Sequence, residues 1–559
     1  MNSVGRHFNS LFKRFFQSLS LCGLLLTPLS VTALSESALT LRQHIEANLG
    51  DYPLSAFGIP LKNDTTLQDF YLNRNFSLAW YNQQGKLTAQ ARAVIQEIGD
   101  ITKDGLLPAD YYYEKFQATK LLENNELTTN SRIQYDLLLS DAVATLSQHL
   151  IAGKVDPKTL AIDWSAQRRH RDLVKILQDI AQGEDVAARI NALRPNQVRY
   201  FRLQKLLTQL EQRAAPEWHP LATAPLIKPL TGDKRVEPIR ERLIYWGDLT
   251  TIADENITAS SQPQWYDELL VSAVKNFQRR HGLDEDGIIG KHTLEALNIS
   301  PAMRKQQVVN NLERWRWLAE DLGDKHVLVN IASFELRVIA NNETVMRKPV
   351  IVGRDYRRTP VFSDKIRYLV YNPTWTVPYS IASKDILPNI QKDPEYLNQL
   401  NFKVYDRNQS LVDPATVNWK AITKNNFPYR LVQMPGPKNA LGQIKFMFPN
   451  EHDVYLHDTA ARDLFSKKDR AFSSGCVRVS DPLELAAWLQ KDNGISRADI
   501  DAILASGEPK TMFLKKPIPV HIEYWTGWVD SKGVTHFRAD IYQRDPPLTA
   551  ALERSLHAE

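Results

Sequence analysis

The chain has 559 residues, roughly three to four times the usual domain size, so several domains are expected. Apolar residues make up 43% and charged residues 24%, a globular balance that excludes collagen-like, disordered and multi-span membrane classes. A net charge of only +5, from 69 Lys+Arg against 64 Asp+Glu, argues against a nucleic-acid partner, whose binder would carry a dominant, clustered basic set.

Arg6, Lys13 and Arg14 precede the apolar stretch FFQSLSLCGLLLTPLSVTA, in which Val31 and Ala33 hold the spacing that a signal peptidase reads. The apolar run is short for a spanning helix and contains Pro28, so residues 1–33 are read as a cleaved signal, with an uncleaved anchor as the alternative. Leu21 before Cys22 argues against a lipoprotein signal, which wants a small residue there. Cleavage would lower the net charge from +5 to +2 and leave one cysteine, Cys476, in a compartment where cysteines normally pair. Such a cysteine is inert in a core, linked to another chain, or kept for its thiolate.

Residues 34–230 read as a helical scaffold. LTAQARAVIQEIGDI and SRIQYDLLLSDAVATLSQHLIAG place apolar residues at three- and four-residue intervals, and APEWHPLATAPLIKPLTGDKR is a proline-rich linker. In residues 236–300, Val274, Phe277 and Leu283 form one apolar set and Ile288, Leu294 and Leu297 another. Gly282 and Asp286-Gly287 supply the turns. The order F-Q-x-x-x-G-L-x-x-D-G-x-x-G-x-x-T-x-x-A-L-N resembles the three-helix peptidoglycan-binding domain of exported wall enzymes. Residues 301–325 form a connecting helix whose Trp315 and Trp317 fall on different faces; packing between domains is expected there, with a sugar-stacking platform as the sharper reading.

From 326 to 515 the pattern becomes strand-like, interrupted at 380–430 by an Asn-, Lys- and Pro-rich insertion of the kind that serves as a lid. As an insertion it is expected to contribute little to the core it interrupts, so that about Asp393 to Asn425 could be deleted. Residues 516–559 give a hairpin around Ser531-Lys532-Gly533, expected to join the same sheet, and a tail.

The chemistry concentrates in DVYLHDTAARDLFSKKDRAFSSGCVRVSDP. Alternation puts Val454 and Leu456 on one strand face and Asp453, Tyr455 and His457 on the other. Cys476 follows nineteen positions after His457, among Ser473, Ser474 and Gly475, and Asp481-Pro482 opens a helix as N-cap and first residue. Glycine before cysteine lets a substrate carbonyl approach the backbone, whose N–H groups can form an oxyanion hole. A zinc site from His452, His457 and Asp458 fits poorly, because residues five apart on a strand face opposite ways. A Cys–His nucleophilic pair without metal fits best.

This segment resembles the active-site motif of the L,D-transpeptidases. VGRDYRRTPVFS, YNPTWTVP, PGPKNALGQIKFMFPN and RAFSSGCVRV are similar to the large periplasmic members of the YcbB type. The commonest family pattern has a histidine before the glycine; Ser474 stands there and removes a polar ring. The resemblance implies a multidomain α+β protein: a mostly β L,D-transpeptidase catalytic domain with an inserted lid, an α-helical scaffold and a three-helix peptidoglycan-binding domain. It implies a cofactor-free periplasmic enzyme in cell-wall biogenesis and cell shape that uses tetrapeptide stems of the sacculus as donor and acceptor, alongside other wall-synthesis proteins. Cys476 would attack the L-centre carbonyl of diaminopimelate, expel D-Ala and form a thioester, which a second diaminopimelate resolves into a cross-link between third residues. His457 would be the base, oriented by the backbone carbonyl of Asp458. Gly475 and Cys476 would supply oxyanion N–H groups, and Arg478, Tyr455, Ser473 and Ser474 would meet substrate. A carbapenem would trap the thiolate. The alternatives are an L,D-carboxypeptidase or wall-linkage hydrolase with the same pair, or a non-catalytic wall-binding protein.

Overall fold

The computed structural model describes residues 35–47, 53–118, 127–160, 164–165, 168–250 and 262–557; the expected signal segment lies outside them. The N-terminal region is helical around α1 (Thr129–Ala152), buried on nearly all sides. Its core extends from Leu41 to Leu193. The helix α2 (Val198–Gln212) leaves that core, and its Tyr200, Leu203 and Leu207 pack with the sheet domain instead. Helices α3 (Val236–Trp246), α4 (Glu268–His281) and α5 (Lys291–Asn298) form the expected three-helix module around Val274, Phe277, Leu294 and Leu297.

Helix α6 (Pro301–Arg316) joins all these parts. Trp315 stacks on Trp525 at 4.4 Å, and Trp317 meets Trp164 edge-on at 4.7 Å while its indole N–H donates to the Val155 carbonyl. Both indoles are buried, so they pack between domains and offer no sugar platform. One turn of α6 also buries charge. Glu313 and Arg316, both fully buried, pair at 2.6 Å. The same guanidinium donates to the Asp104 carbonyl and to Tyr200, and Glu313 accepts the Val155 N–H at 2.7 Å. Removing one partner of such a pair costs about 3–5 kcal/mol, because the other charge is left in a dry interior.

The sheet domain begins with β1 (Lys325–Asn330), β2 (Glu335–Ala340), β3 (Glu343–Gly353) and β4 (Phe362–Tyr371). The insertion then contributes β5 (Trp375–Thr376), β6 (Phe402–Tyr405), β7 (Leu411–Val412) and β8 (Arg430–Gln433). The domain continues with β9 (Ile444–Met447), β10 (Leu456–His457), β11 (Ala471–Ser473), β12 (Val477–Val479), helix α7 (Pro482–Gln490) and β13 (Lys510–Glu523). Nine strands pair in the order β11-β3-β12-β10-β9-β4-β13-β1-β2. The first half of β3 also pairs with β2, which rolls the sheet onto itself.

Three sequence expectations change. The expected boundary at 516 cuts through β13, an interior strand paired with both β4 and β1. Pro517 falls where the register of β13 with β4 shifts, between Phe513 and Ile518, and Pro519 stands beyond the shift, opposite Lys365. The hairpin β14 (Gly527–Val529) and β15 (Thr535–Phe537) forms around the expected turn, but as a separate two-stranded ribbon. It is followed by α8 (Asp545–Glu553), which is tied to α6 through Arg314–Asp545 at 2.6 Å. Finally, Asp481 does not cap α7; it adopts φ +45 and its carboxylate pairs with Lys348.

The insertion is more than a loop. Val377, Ile386, Ile390, Leu397, Phe402, Val404, Trp419 and Leu431 give it a core of its own. Its two ends lie side by side, with Thr376 opposite Val432 and the Val377 N–H donating to the Leu431 carbonyl. Excising about 393–425 would remove Leu397, Phe402, Val404 and Trp419 and strand the rest, so that deletion should destabilise the protein, contrary to the expectation from sequence. Replacing 378–430 by a two-residue turn should instead keep a cooperative melt within about 5 °C of the parent, because the insertion's core leaves as one unit. Loss of cooperative melting in that variant would show that the two cores are interdependent.

Candidate active site

Parallel pairing of β10 with β12 sets Leu456 opposite Val477 and His457 opposite Arg478. Leu456 and Val477 point into the core, so their neighbours take the other face. Cys476 thus lies across from Tyr455, whose carbonyl accepts the Val477 N–H, and Arg478 lies across from His457. On the far side of β10, β9 puts Lys445 opposite His457. Five chemistry-bearing residues therefore share one face of three adjacent strands. The regular strand is shorter than the expected DVYLHD run: it covers Leu456–His457, and Asp453 sits before it in a turn with φ +52.

The turn that presents Cys476 is held from within and from behind. Ser473, only 2% exposed, donates its hydroxyl to the Cys476 carbonyl at 2.5 Å and accepts the Gly475 N–H at 3.2 Å. Its hydroxyl is taken up in closing the turn, in place of the substrate contact expected from sequence. Gly475 has φ +119, a conformation open to glycine, and its carbonyl accepts from Thr359 Oγ1 at 2.8 Å. Thr359 is itself supported by the Tyr542 hydroxyl, which donates to the Gly353 carbonyl. Ser474 remains exposed, and Arg357 Nη1 donates both to its hydroxyl at 3.0 Å and to Asp385 of the insertion. Arg357 thus ties the insertion to the turn that presents Cys476.

His457 is buried, and its Nδ1 lies 2.5 Å from the Asp458 carbonyl oxygen. The contact fixes the tautomer with the proton on Nδ1 and frees Nε2 as a base. Asp458 is anchored in turn: its backbone N–H donates to the Ile444 carbonyl, and its carboxylate accepts the Gln443 N–H and pairs with Arg462. Gly442 lets this happen, since a Cβ there would sit 2.3 Å from the Asp458 carboxylate, and its φ is +60.

Comparison with known proteins follows this geometry. Residues 324–520 match the L,D-transpeptidase catalytic domain family, which encloses the whole Cys–His face. The chain carries an L,D-transpeptidase catalytic domain. Residues 65–207 match a family described as "Scaffold domain" and residues 232–297 one described as "Putative peptidoglycan binding domain". A Haemophilus influenzae protein named "Putative L,D-transpeptidase" is 33% identical over 287 residues, 50% of this chain; the match spans 58% of that relative's length. Among solved structures, an Ldtfm–avibactam carbamoyl enzyme (10% identity, 37% of this chain, 51% of the other, TM-score 0.18) and an L,D-transpeptidase from Xylanimonas cellulosilytica (14%, 54% and 100%, TM-score 0.17) align too loosely to add to the assignment.

Electrostatics in the transpeptidase domain favour a neutral resting pair. Burial, with help from Arg478, pulls His457 down to about 3, so the imidazole rests neutral at pH 7. Burial pushes the Cys476 thiol up, opposed by Tyr455, whose hydroxyl and backbone N–H both hydrogen-bond to it, and by Arg478. His452, the other histidine of the segment, bonds Ser165 at 2.9 Å and packs on Phe362. Among the described residues no cluster of three metal-ligating side chains occurs.

Lys445 escaped the sequence reading. Its signal was a lone cation between Ile444 and Phe446 in a buried strand, but only the register with β10 sets it beside the histidine. Burial lowers its ammonium, offset by Cys476, and the cation lies 5.7 Å from the Tyr455 ring.

Two outcomes are expected. Iodoacetamide labelling of Cys476, followed by peptide mass spectrometry, should rise through the alkaline range with a midpoint above that of free cysteine. Tyr455→Phe and Arg478→Gln should each move the midpoint higher, because each removes a group that stabilises the thiolate; a downward move would reverse the assigned electrostatics. Gly442→Ala should cost more than tenfold in turnover by displacing Asp458 and with it His457, while leaving thiol labelling measurable. Full turnover would mean that Asp458 does not position the base.

Proposed function

We propose that this protein is an exported, periplasmic L,D-transpeptidase that cross-links peptidoglycan stem peptides. The observation that carries the reading is the shared face of Cys476, His457, Tyr455 and Arg478 inside a matching catalytic domain. Cys476 attacks the carbonyl of the L-centre of the third-residue diaminopimelate as neutral His457 takes the thiol proton at Nε2. The C–N bond to the terminal D-Ala breaks, His457 returns the proton to the leaving amine, and a thioester remains on Cys476. The side-chain amine of a second diaminopimelate then attacks, loses its proton to His457 and restores the thiol, leaving a cross-link between two third residues.

The Cys476 N–H is the donor to the developing oxyanion, since the Gly475 N–H expected beside it is given to Ser473 Oγ. Arg478 and Lys445 suit the carboxylates of the donor stem, the guanidinium as a bidentate partner and the ammonium as a point charge. The neutral resting pair makes His457 a general base during attack, since a standing thiolate–imidazolium pair would have to overcome the burial of both groups. Export rests on the basic start, the short apolar stretch and the Val31–Ala33 spacing.

Incubation with a purified disaccharide-tetrapeptide and mass spectrometry of the muropeptides tests this. Cross-linked dimers with loss of D-Ala are expected, falling at least a thousandfold in Cys476→Ala and in His457→Ala. Tripeptides without dimers would instead make the enzyme a carboxypeptidase, and unchanged dimer yield in Cys476→Ala would remove the nucleophile. A carbapenem should give one adduct per chain, on the peptide containing SSGCVRV, formed much more slowly in His457→Ala.

A further inference from the structure

A cleft of about 680 Å³ opens between the three-helix module, the transpeptidase domain and the β14–β15 ribbon, outside the Cys–His face. Its apolar lining includes Leu283 and Ile299 from the module side and Phe334 from the sheet. Above this lining stand cations whose hydrogen bonds go to neutral acceptors. Arg304, 3% exposed, donates to the Gln307 side chain at 2.7 Å and the Ala296 carbonyl at 3.1 Å. Arg470 donates to the carbonyls of Val350, Lys467 and Phe334. Arg538 donates to those of Arg280 and Phe537, both at 2.7 Å.

All these acceptors are neutral. The carboxylates that act on them are few and mostly shared: Glu335 acts on Arg470 and Arg538 and is already paired with Arg337 and Arg347, the exposed Asp469 acts on Arg470, and Asp545, paired with Arg314, acts on Arg304. Lys468 adds an exposed ammonium at the rim. The acids on the module side offer little: Glu285 is paired with Arg279, and Glu295 with His292 and Lys291. Burial, helped by Arg280 and opposed by Asp545, pulls Arg304 down to about 9.

Guanidiniums held by carbonyls keep their charge in a partly dry cleft, an unfavourable arrangement that an entering anion offsets. The volume is that of a ligand site, and an apolar lining beneath cations suits a sugar or peptide body that carries carboxylates. We propose that this cleft binds a stem-bearing segment of the peptidoglycan strand, seating the stem carboxylates on Arg304, Arg470, Arg538 and Lys468 and the glycan on the Leu283–Phe334 lining. The proposal rests on the substrate class assigned above. It makes the wall-binding surface a composite one, to which the module contributes one wall and the catalytic domain most of the charge. A strand held there is anchored while another part of the wall reaches Cys476.

The test uses the full chain with Cys476→Ala, so that nothing is turned over, in pelleting assays with isolated sacculi. Lys468→Glu and Leu283→Glu should each weaken binding at least fivefold, and Lys468→Arg should retain it. Lys468 is exposed and its change leaves the core untouched, so Lys468→Glu decides the matter even if a melting control shows Leu283→Glu to be misfolded. Binding should fall with added salt, and glycan stripped of its stems should bind as weakly as Lys468→Glu. Parent-like binding by Lys468→Glu, or equal binding of stripped and intact glycan, would overturn the proposal. Turnover of a soluble tetrapeptide by the unmodified enzyme reads the catalytic assignment separately, so failure of one is distinguishable from failure of the other.

Discussion

Two strands, one of two residues and one of three, carry the chemistry through their parallel pairing. Parallel neighbours require a crossover, and here the nineteen positions from His457 to Cys476 provide it. The pairing turns a sequence separation into a lateral one: histidine and arginine sit at matched register within the strands, and tyrosine and cysteine sit on the same face in the residues just before them. Most other features of the site keep that register true. The carboxylate of Asp458 pins the end of β10, Ser473 closes the turn before β12, and Thr359 braces it from behind. A slip of either strand by one residue would turn its own reactive side chain, His457 or Cys476, toward the core.

The larger architecture depends on a different force. Helix α6 meets the scaffold and the sheet domain through indole stacking, but also through Arg316, Glu313 and Arg314, all of them buried. An apolar interface would hold the domains together with less geometric demand. A buried ion pair tolerates few orientations, because each displaced hydrogen bond leaves a charge in a medium that cannot solvate it. The scaffold is thereby fixed in angle as well as in contact.

Much of this was legible in the sequence where the signal was local. Strand alternation around His457, glycine before cysteine and the turn glycines of the three-helix module each depend on a few neighbouring residues. The carbonyl expected beside His457 is adjacent in sequence, and the structure places it 2.5 Å from Nδ1. What stayed hidden was long-range. Lys445 acquires its place from register with another strand, Arg357 from a loop about 120 residues before the turn it touches. Ser473 and Ser474 look alike in sequence, yet one is buried and the other exposed, because the turn between β11 and β12 alternates them. The end of the domain was misplaced because β13 runs on through residues 516–523, paired on both sides by strands far away in sequence. A polar, proline-containing insertion concealed a core whose members come from both its ends.

The brace behind the nucleophile has a temporal side. Tyr542, whose hydroxyl caps the Gly353 carbonyl and supports Thr359, comes 66 positions after Cys476, beyond the last strand of the main sheet. A ribosome makes the chain from its N-terminus, so cysteine, histidine and both of their strands exist before the residue that steadies them. A nascent chain that already contains Cys476 and His457 still lacks the prop for the turn that presents the thiol. Maturation of the thiol's surroundings is thus tied to completion of the polypeptide, and a product truncated after β13 would keep the nucleophile without its support.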